Sequence, residues 1–290
     1  MEKLNLEKIK ESKSIEELLH FGIINIDKPS GPTSFSVSDF VRKSLGLNKT
    51  SHLGTLDPMV SGVLPVLLGR ACRLNEYLMH RNKTYVGVMR LHKEISENEL
   101  KRVIDKFIGK IMQLPPKKSR VKRAIREREI ISFKILEIEA KDVLFETEVQ
   151  AGTYIRKLCD DMGKEMGGAH MLELRRTNAS IFSEKGLISL YELEKVISEH
   201  EKGNSKPLRD IIIPAEIVAE ILPIVNIKKQ VLKKVLSGSP IFNSFLENDK
   251  EIKNIQEGDK ICVYTKDIFV GCYNFIGKKE IVAVPEFVFN

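Results

Sequence analysis

Two spacings of apolar residues alternate along most of the chain, one suited to helices and one to strands. Gly22-Ile-Ile-Asn-Ile-Asp27 is strand-like and runs into a breaker-rich turn, Lys28-Pro-Ser-Gly-Pro-Thr33. The unbroken apolar run Val63 to Leu68 predicts a buried strand. From Lys83 to His92 the pattern alternates. Tyr85, Gly87, Met89 and Leu91 share one face, and Val86, Val88 and Arg90 share the other. Ile130 to Ile138 and Val143 to Val149, parted by Glu139-Ala-Lys-Asp142, predict a hairpin, and Met171 to Thr177 a further strand.

Between these strands the period lengthens. Ser14 and Glu17 have capping-box spacing and predict a short helix over 14–20; Ser96 and Glu99 do the same for a helix that stops at Gly109. Phe35, Val37, Phe40, Val41 and Leu45 lie at helical spacing and end at Gly46. Residues 70–79 and Tyr191 to His200 predict helices, and Gly152-Thr153 starts one carrying Tyr154, Ile155, Leu158, Cys159 and Met162. Glu201 to Leu208 reads as a linker. Beyond Pro223 glycines punctuate short strands, among them Lys260 to Tyr264 and Ile268 to Phe275, so a small β-rich domain is expected there. Lys228, Lys229, Lys233 and Lys234 are expected on one helix of that domain, as candidate phosphate contacts.

Charge adds a partner class. The chain has 290 residues and a formal net charge of +7, which favours a polyanionic partner. No arginine follows Arg209, so the tail carries only lysine cations. The densest cluster is Lys117-Lys118-Ser119-Arg120-Val121-Lys122-Arg123-Ala124-Ile125-Arg126-Glu127-Arg128, which suits either a phosphate-contacting arm or a solvated basic face. Cys72, Cys159, Cys262 and Cys272 have no C-x-x-C spacing, and the sequence predicts buried thiols and no metal site. No apolar run approaches the roughly 18 residues of a membrane span, and the first residues lack a signal-peptide core. A cytoplasmic protein is expected.

One acid stands out. Asp57 sits among Gly54, Pro58, Ser61 and Gly62, just ahead of the Val63 strand. Such a loop presents one carboxylate on a rigid mount. It equally suits an Asx-turn in which the carboxylate caps local N–H groups. Residue chemistry alone leaves both open and points to an RNA-binding protein without naming a reaction.

Five segments resolve the choice. Asn25-Ile-Asp-Lys-Pro-Ser-Gly-Pro-Thr-Ser34, His52-Leu-Gly-Thr-Leu-Asp-Pro-Met-Val-Ser-Gly-Val-Leu-Pro65, Lys83-Thr-Tyr85, Gly152-Thr-Tyr-Ile-Arg156 and Leu174-Arg-Arg-Thr177 occur in this order. Together they resemble the TruB family of RNA pseudouridine synthases. Gln113-Leu-Pro-Pro-Lys-Lys-Ser-Arg-Val-Lys-Arg123 and Gly168-Ala-His-Met-Leu-Glu-Leu-Arg-Arg176 are similar to its archaeal and eukaryotic dyskerin-like branch. The tail resembles a PUA domain more loosely, through Ser237-Gly-Ser-Pro240 and Gly258-Asp-Lys-Ile-Cys-Val-Tyr264.

The resemblance implies an α+β catalytic domain on a central, mostly antiparallel sheet (residues 1–221) and a small β-rich PUA-like barrel (222–290). Within the first, residues 14–60 would be a lead-in and catalytic loop, and 113–130 a basic arm leading to a thumb. It implies that Asp57 is the catalytic carboxylate, acting at C1′ of the uridine or assisting proton removal from the sugar. Arg156 would hold it ionised with a planar, bidentate guanidinium, and Tyr85 would pack on the base. Leu174 would make an apolar contact to the base and His52 would help hold it out of the stack. Lys28, Pro29 and Tyr154 would support the site. Lys117, Lys118, Arg120, Lys122, Arg123 and Arg126 would grip RNA. No cofactor is implied.

In this branch the partners are an H/ACA guide RNA with its rRNA target, a small zinc-ribbon protein, a Gar-type protein and a kink-turn-binding ribosomal protein. A stand-alone action on the TΨC-loop uridine of tRNA is the other known role. The rival reading is a non-catalytic RNA-binding scaffold that retains the fold.

Overall fold

The alternation from Lys83 to Leu91 produces a strand whose odd-numbered residues are all buried, in the middle of the larger sheet. A computed structural model describes residues 4–116, 122–266, 268–278 and 280–290. Contacts divide the chain into two compact units: Ile24–Val66 with Met79–Asn204, and Met1–Ile23 with Leu67–Leu78 and Ser205–Asn290. The strands are β1 (Gly22–Lys28), β2 (Thr50–His52), β3 (Ser61–Leu68), β4 (Lys83–Leu91), β5 (Gly109–Gln113), β6 (Arg126–Glu139), β7 (Asp142–Val149), β8 (Ala169–Ala179) and β9 (Phe182–Ser183). Then follow β10 (Ile212–Pro214), β11 (Ile224–Asn226), β12 (Ile241–Phe242), β13 (Lys260–Thr265), β14 (Ile268–Phe275) and β15 (Ile281–Val288).

In the first unit the strand order is β1-β3-β8-β4-β7-β6-β5. The β3–β8 pairing is parallel, whereas β4–β8, β4–β7, β6–β7 and β5–β6 are antiparallel. Helices Glu97–Phe107 and Ile155–Glu165 cover one face and bury Leu100, Val103, Ile104, Leu158 and Met162 with the sheet residues Met89, Ile130, Val143 and Phe145. Leu56 and Val60 belong to the same core. They flank Asp57, so the loop carrying it is pinned on both sides by buried apolar side chains.

The second unit contains a five-stranded sheet, β11-β13-β14-β15-β12, around Val225, Ile241, Ile261, Val263, Val270 and Tyr273. Phe21, from the N-terminal helix–strand junction, stacks within this unit on Phe269 and Phe289, with ring centroids 5.3 and 4.3 Å away. The mixed α+β architecture with a mostly antiparallel main sheet is the expected one. Among the described residues, no helix is long and apolar enough to cross a membrane.

Several local expectations are corrected. Gly109–Gln113 is a strand that the sequence reading missed; it pairs antiparallel with Arg126 to Ile130, of which only Ile130 was expected in the hairpin. Its Lys-Ile-Met-Gln alternation is too short and polar to stand out. Arg126 therefore lies on β6 rather than in a loop. The supposed linker holds a helix, Lys206–Ile211, started by a proline in its first turn. Lys228, Lys229, Lys233 and Lys234 do not share a helix: Lys228 caps a 3₁₀ turn, Lys229–Val231, and only Lys233 and Lys234 lie on the following helix, Leu232–Leu236.

Candidate active site

The strand register assembles the site. Tyr85 on β4 lies directly opposite Arg176 on β8, and Gly87 opposite Leu174. Gly62 on β3 lies beside Arg176 from the other side. Opposed residues on neighbouring strands point to the same face, so Tyr85, Leu174 and Arg176 form one patch. Leu174 needs the missing side chain of Gly87: a Cβ there would sit 2.7 Å from Leu174 Cδ1 and 2.9 Å from Phe145 Cζ. Gly62 is required twice over. Its φ is +101°, and a Cβ would lie 2.2 Å from the Arg176 carbonyl oxygen.

The loop above this patch has few free backbone groups. Ser34 Oγ accepts from the Leu56 N–H and donates to the Leu56 carbonyl. The Lys28 ammonium, fully buried, donates to the carbonyls of Pro29, Pro58 and Val60 at 2.8, 3.0 and 2.7 Å. Gly31 N–H adds a 2.8 Å bond to Pro58, and Val60 N–H closes the turn on the Asp57 carbonyl at 3.0 Å. Arg176 donates to Val63 at 2.8 Å, Leu53 at 3.2 Å and Gly54 at 3.1 Å. The Lys28–Pro29 turn is thus bonded to the loop through Pro58 and Val60.

Among the described residues, no backbone N–H group donates to the Asp57 carboxylate. Its Oδ2 lies 2.8 Å from Arg156 Nη2, with side-chain exposures of 53% and 48%. Both side chains are about half exposed, so the pair faces solvent. Arg156 stands in the first turn of the helix Ile155–Glu165, which Tyr154 precedes as cap. The buried Gln113 side chain holds that cap on both sides, accepting from Tyr154 N–H at 3.0 Å and donating to its carbonyl at 3.3 Å. The Tyr154 backbone is thus held by Gln113, a residue that sequence reasoning did not single out. Its place at the end of β5 was invisible while β5 itself was missed. Ser34 and Arg176 were likewise not assigned to the site.

Burial first, then the Arg176 charge, lower the pKa of His52; its Nε2 lies 3.3 Å from Thr55 Oγ1. Burial first, then Arg176, also push Lys83 down to about 8. Lys28 is lowered by burial and by Arg176, with Asp57 acting in the opposite sense. Arg175 is engaged elsewhere, with Asp27 at 2.9 Å and Glu184 at 2.7 Å.

Residues 42–155 match the model of the TruB family pseudouridylate synthase N-terminal domain, and residues 156–220 that of the tRNA pseudouridylate synthase B C-terminal domain. A probable tRNA pseudouridine synthase B of Methanopyrus kandleri is 42% identical over 257 residues, 88% of this chain and 75% of the relative. The chain belongs to the TruB family of pseudouridine synthases. A Thermococcus onnurineus relative with the same description is 44% identical over 260 residues, 88% of this chain and 77% of the relative. Among solved structures, a Cbf5-Nop10-Gar1 complex contains a chain similar to this one with a TM-score of 0.87 and 39% identity, covering 97% of this chain and 88% of that one. An H/ACA RNP bound to a substrate RNA containing 2′-deoxyuridine matches with a TM-score of 0.86 and 37% identity, covering 97% and 89%. The resemblance to the Cbf5-type branch and the expected fold are both borne out by these matches.

As a TruB-family RNA pseudouridine synthase, the protein isomerises uridine. The expected RNA-gripping residues are spread more widely. Lys122 and Arg123 are exposed, and Arg126 is half-buried with a 3.3 Å bond to the Lys122 carbonyl. Lys117, Lys118 and Arg120 lie outside the described residues. Lys228, Lys229, Lys233 and Lys234 are all exposed, and the Lys228 ammonium donates to the Ser244 carbonyl at 2.9 Å. Among the described residues, no group of three or more His, Cys, Asp or Glu side chains is placed to hold a metal ion.

Proposed function

We propose that Asp57, Tyr85 and Arg156 carry out the isomerisation and that the chain works as the catalytic subunit of an H/ACA-type particle. A guide RNA selects the uridine in rRNA, and the TΨC-loop uridine of tRNA is a second, stand-alone substrate. The observation that carries the assignment is the Asp57–Arg156 pair, open to solvent, whose neighbours Leu56, Val60 and Ile155 share one core with the buried Tyr85. A carboxylate serves this chemistry because the N1–C1′ bond must break at an electron-poor carbon. The base then turns, C5 bonds to C1′, and the C5 proton is lost, so no electron is exchanged with a cofactor. Arg156 holds and aims the carboxylate. Tyr85 and Leu174 receive the extruded base, and His52 supports the flipped geometry.

The partners of this reading are the guide RNA, a Nop10-type zinc-ribbon protein, a Gar1-type protein and a kink-turn-binding ribosomal protein. Residues 1–221 act as the catalytic domain and 222–290 as the PUA-like RNA-binding domain, in the cytoplasm. The test is to incubate the protein with a tRNA transcript, alone and then with guide RNA and partner proteins, and to map pseudouridine. Wild type is expected to modify RNA and Asp57→Asn to leave it unmodified. Absence of pseudouridine under both conditions, or full activity of Asp57→Asn, overturns the residue assignment and favours the scaffold reading. Activity that always needs the guide removes the stand-alone role.

A further inference from the structure

We propose that Cys262 and Cys272 form a dithiol site that a peroxide closes into a cross-strand disulfide, locking the sheet of the second unit. The two residues lie directly opposite each other on β13 and β14. The backbone of each points away from the other. Cys262 N–H donates outward, to the Pro223 carbonyl just ahead of β11, at 2.8 Å. On β14 the Val270 carbonyl accepts outward from Phe289 N–H at 2.8 Å, and Cys272, two residues on, shares that edge. The cysteines are therefore a non-hydrogen-bonded pair, with Cα atoms about 4.5 Å apart and side chains on one face. That separation lies within the roughly 4.4–6.8 Å that disulfides span. Closing the bridge needs side-chain rotation, not a shift of either strand.

All four cysteines are free thiols, and three of them are buried. Acidity does not single out this pair, since burial pushes the Cys159 thiol up to about 12 and raises Cys262 as well. The neighbour does. Among the described residues, Cys262 and Cys272 are the one pair of cysteines joined by strand register. Cys159 lies on the helix Ile155–Glu165, and the Cys72 thiol donates to the Leu67 carbonyl at 3.5 Å. In the reaction one sulfur attacks the O–O bond of the peroxide and becomes a sulfenic acid, and water or an alcohol leaves. The second sulfur then displaces water from it and the S–S bond forms. Two thiol protons and two electrons pass to the peroxide, and nothing else is consumed. A second thiol held opposite favours the bridge over further oxidation to a sulfinic acid. β13 and β14 are the second and third of five strands, so the bridge fastens the middle of the sheet.

The test treats the folded full chain with hydrogen peroxide, alkylates the remaining thiols after unfolding, and maps the peptides without reduction. The expected product is a Cys262–Cys272 bridge that dithiothreitol reverses, with Cys159 recovered free. Amide exchange at Ile261 and Tyr273, the adjoining hydrogen-bonded pair, should slow about 10-fold or more in the bridged protein, because the bridge restrains opening of the hairpin. Both thiols recovered free, a sulfinic acid on either, or a bridge to Cys72 or Cys159 overturns the proposal. Exchange left unchanged by a bridge that does form overturns the lock. Wild-type protein suffices for each measurement, so no variant has to fold. The outcome is separate from the Asp57 assignment, since Asp57 belongs to the other unit.

Discussion

Arg156 Nη2 approaches Asp57 Oδ2 to 2.8 Å across a gap that runs from the β2–β3 loop to the helix after β7. Arg156 ignores Asp160, the acid one turn along its own helix, in favour of this distant partner. An ion pair so exposed contributes at most about 1 kcal/mol to stability. What it supplies is a cation placed beside the carboxylate through the Nη2–Oδ2 contact.

Asp57→Asn should therefore fold as wild type and lose roughly 10³-fold or more in single-turnover rate. Arg156→Lys keeps the charge but not the fork, and a loss of about 10–100-fold is expected. Rate and melting temperature measured together decide it: a variant that loses both in proportion has lost its fold, not its chemistry.

The loop's backbone makes a sharper structural demand. Gly62→Ala would place a methyl group 2.2 Å from the Arg176 carbonyl at a φ of +101°. A destabilisation of about 3 kcal/mol or more is expected, from strain and clash combined. Gly31, with φ +114° and nothing within 4 Å of its absent Cβ, should cost only about 1–2 kcal/mol as alanine. Urea midpoints at unchanged slope rank the two. Equal costs would show that the contact with Arg176 carries no strain.

These cases show how far the residues could be read before the fold was known. Alternation exposed β4 because five of its positions face a core, and the capping pairs Ser14–Glu17 and Ser96–Glu99 start helices in both readings of the chain. Asp57, Tyr85, Leu174 and Arg156 were found by motif resemblance, not by chemistry, which left Asp57 a turn residue as readily as a catalyst. Arg176 was legible only as one of two adjacent cations. Its burial depends on Gly62 and Tyr85 lying beside it, and pairing between strands remote in sequence leaves no local signature. Gln113 was hidden for the same reason, since its strand is short and its partner, the Tyr154 backbone, has no side-chain pattern at all.

Lys83 offers a pH-dependent prediction. Its pKa is pushed down to about 8 from the ordinary 10.5, by burial first and by Arg176 second. Between those values the unfolded chain holds a proton that the folded chain has released, so stability rises with pH. Below about 8 the cost is complete and flat. Relative to Lys83→Met, wild type should gain about 2 kcal/mol between about pH 7.5 and 9.5. Unfolding free energies of both proteins across that range measure it. Parallel curves would mean that the ammonium, bonded to the carbonyls of Met79 and Arg81, carries no such penalty.

The last prediction concerns the basic segment. Lys122 and Arg123 are exposed, and no carboxylate is within ion-pair distance of them among the described residues. Cations in that state are available to phosphates, and each phosphate neutralised releases a condensed counterion. Neutralising Lys118, Arg120, Lys122 and Arg123 together should lower the salt slope of RNA binding by about 3, at roughly 0.7 per contact on single-stranded RNA. Affinity measured between about 50 and 200 mM salt resolves a change of that size. The chemical step at saturating RNA should stay as in wild type, because none of these residues belongs to the Asp57 loop or its supports. An unchanged slope would make the segment a solvated face, and would move the search for phosphate contacts to Lys228, Lys229, Lys233 and Lys234.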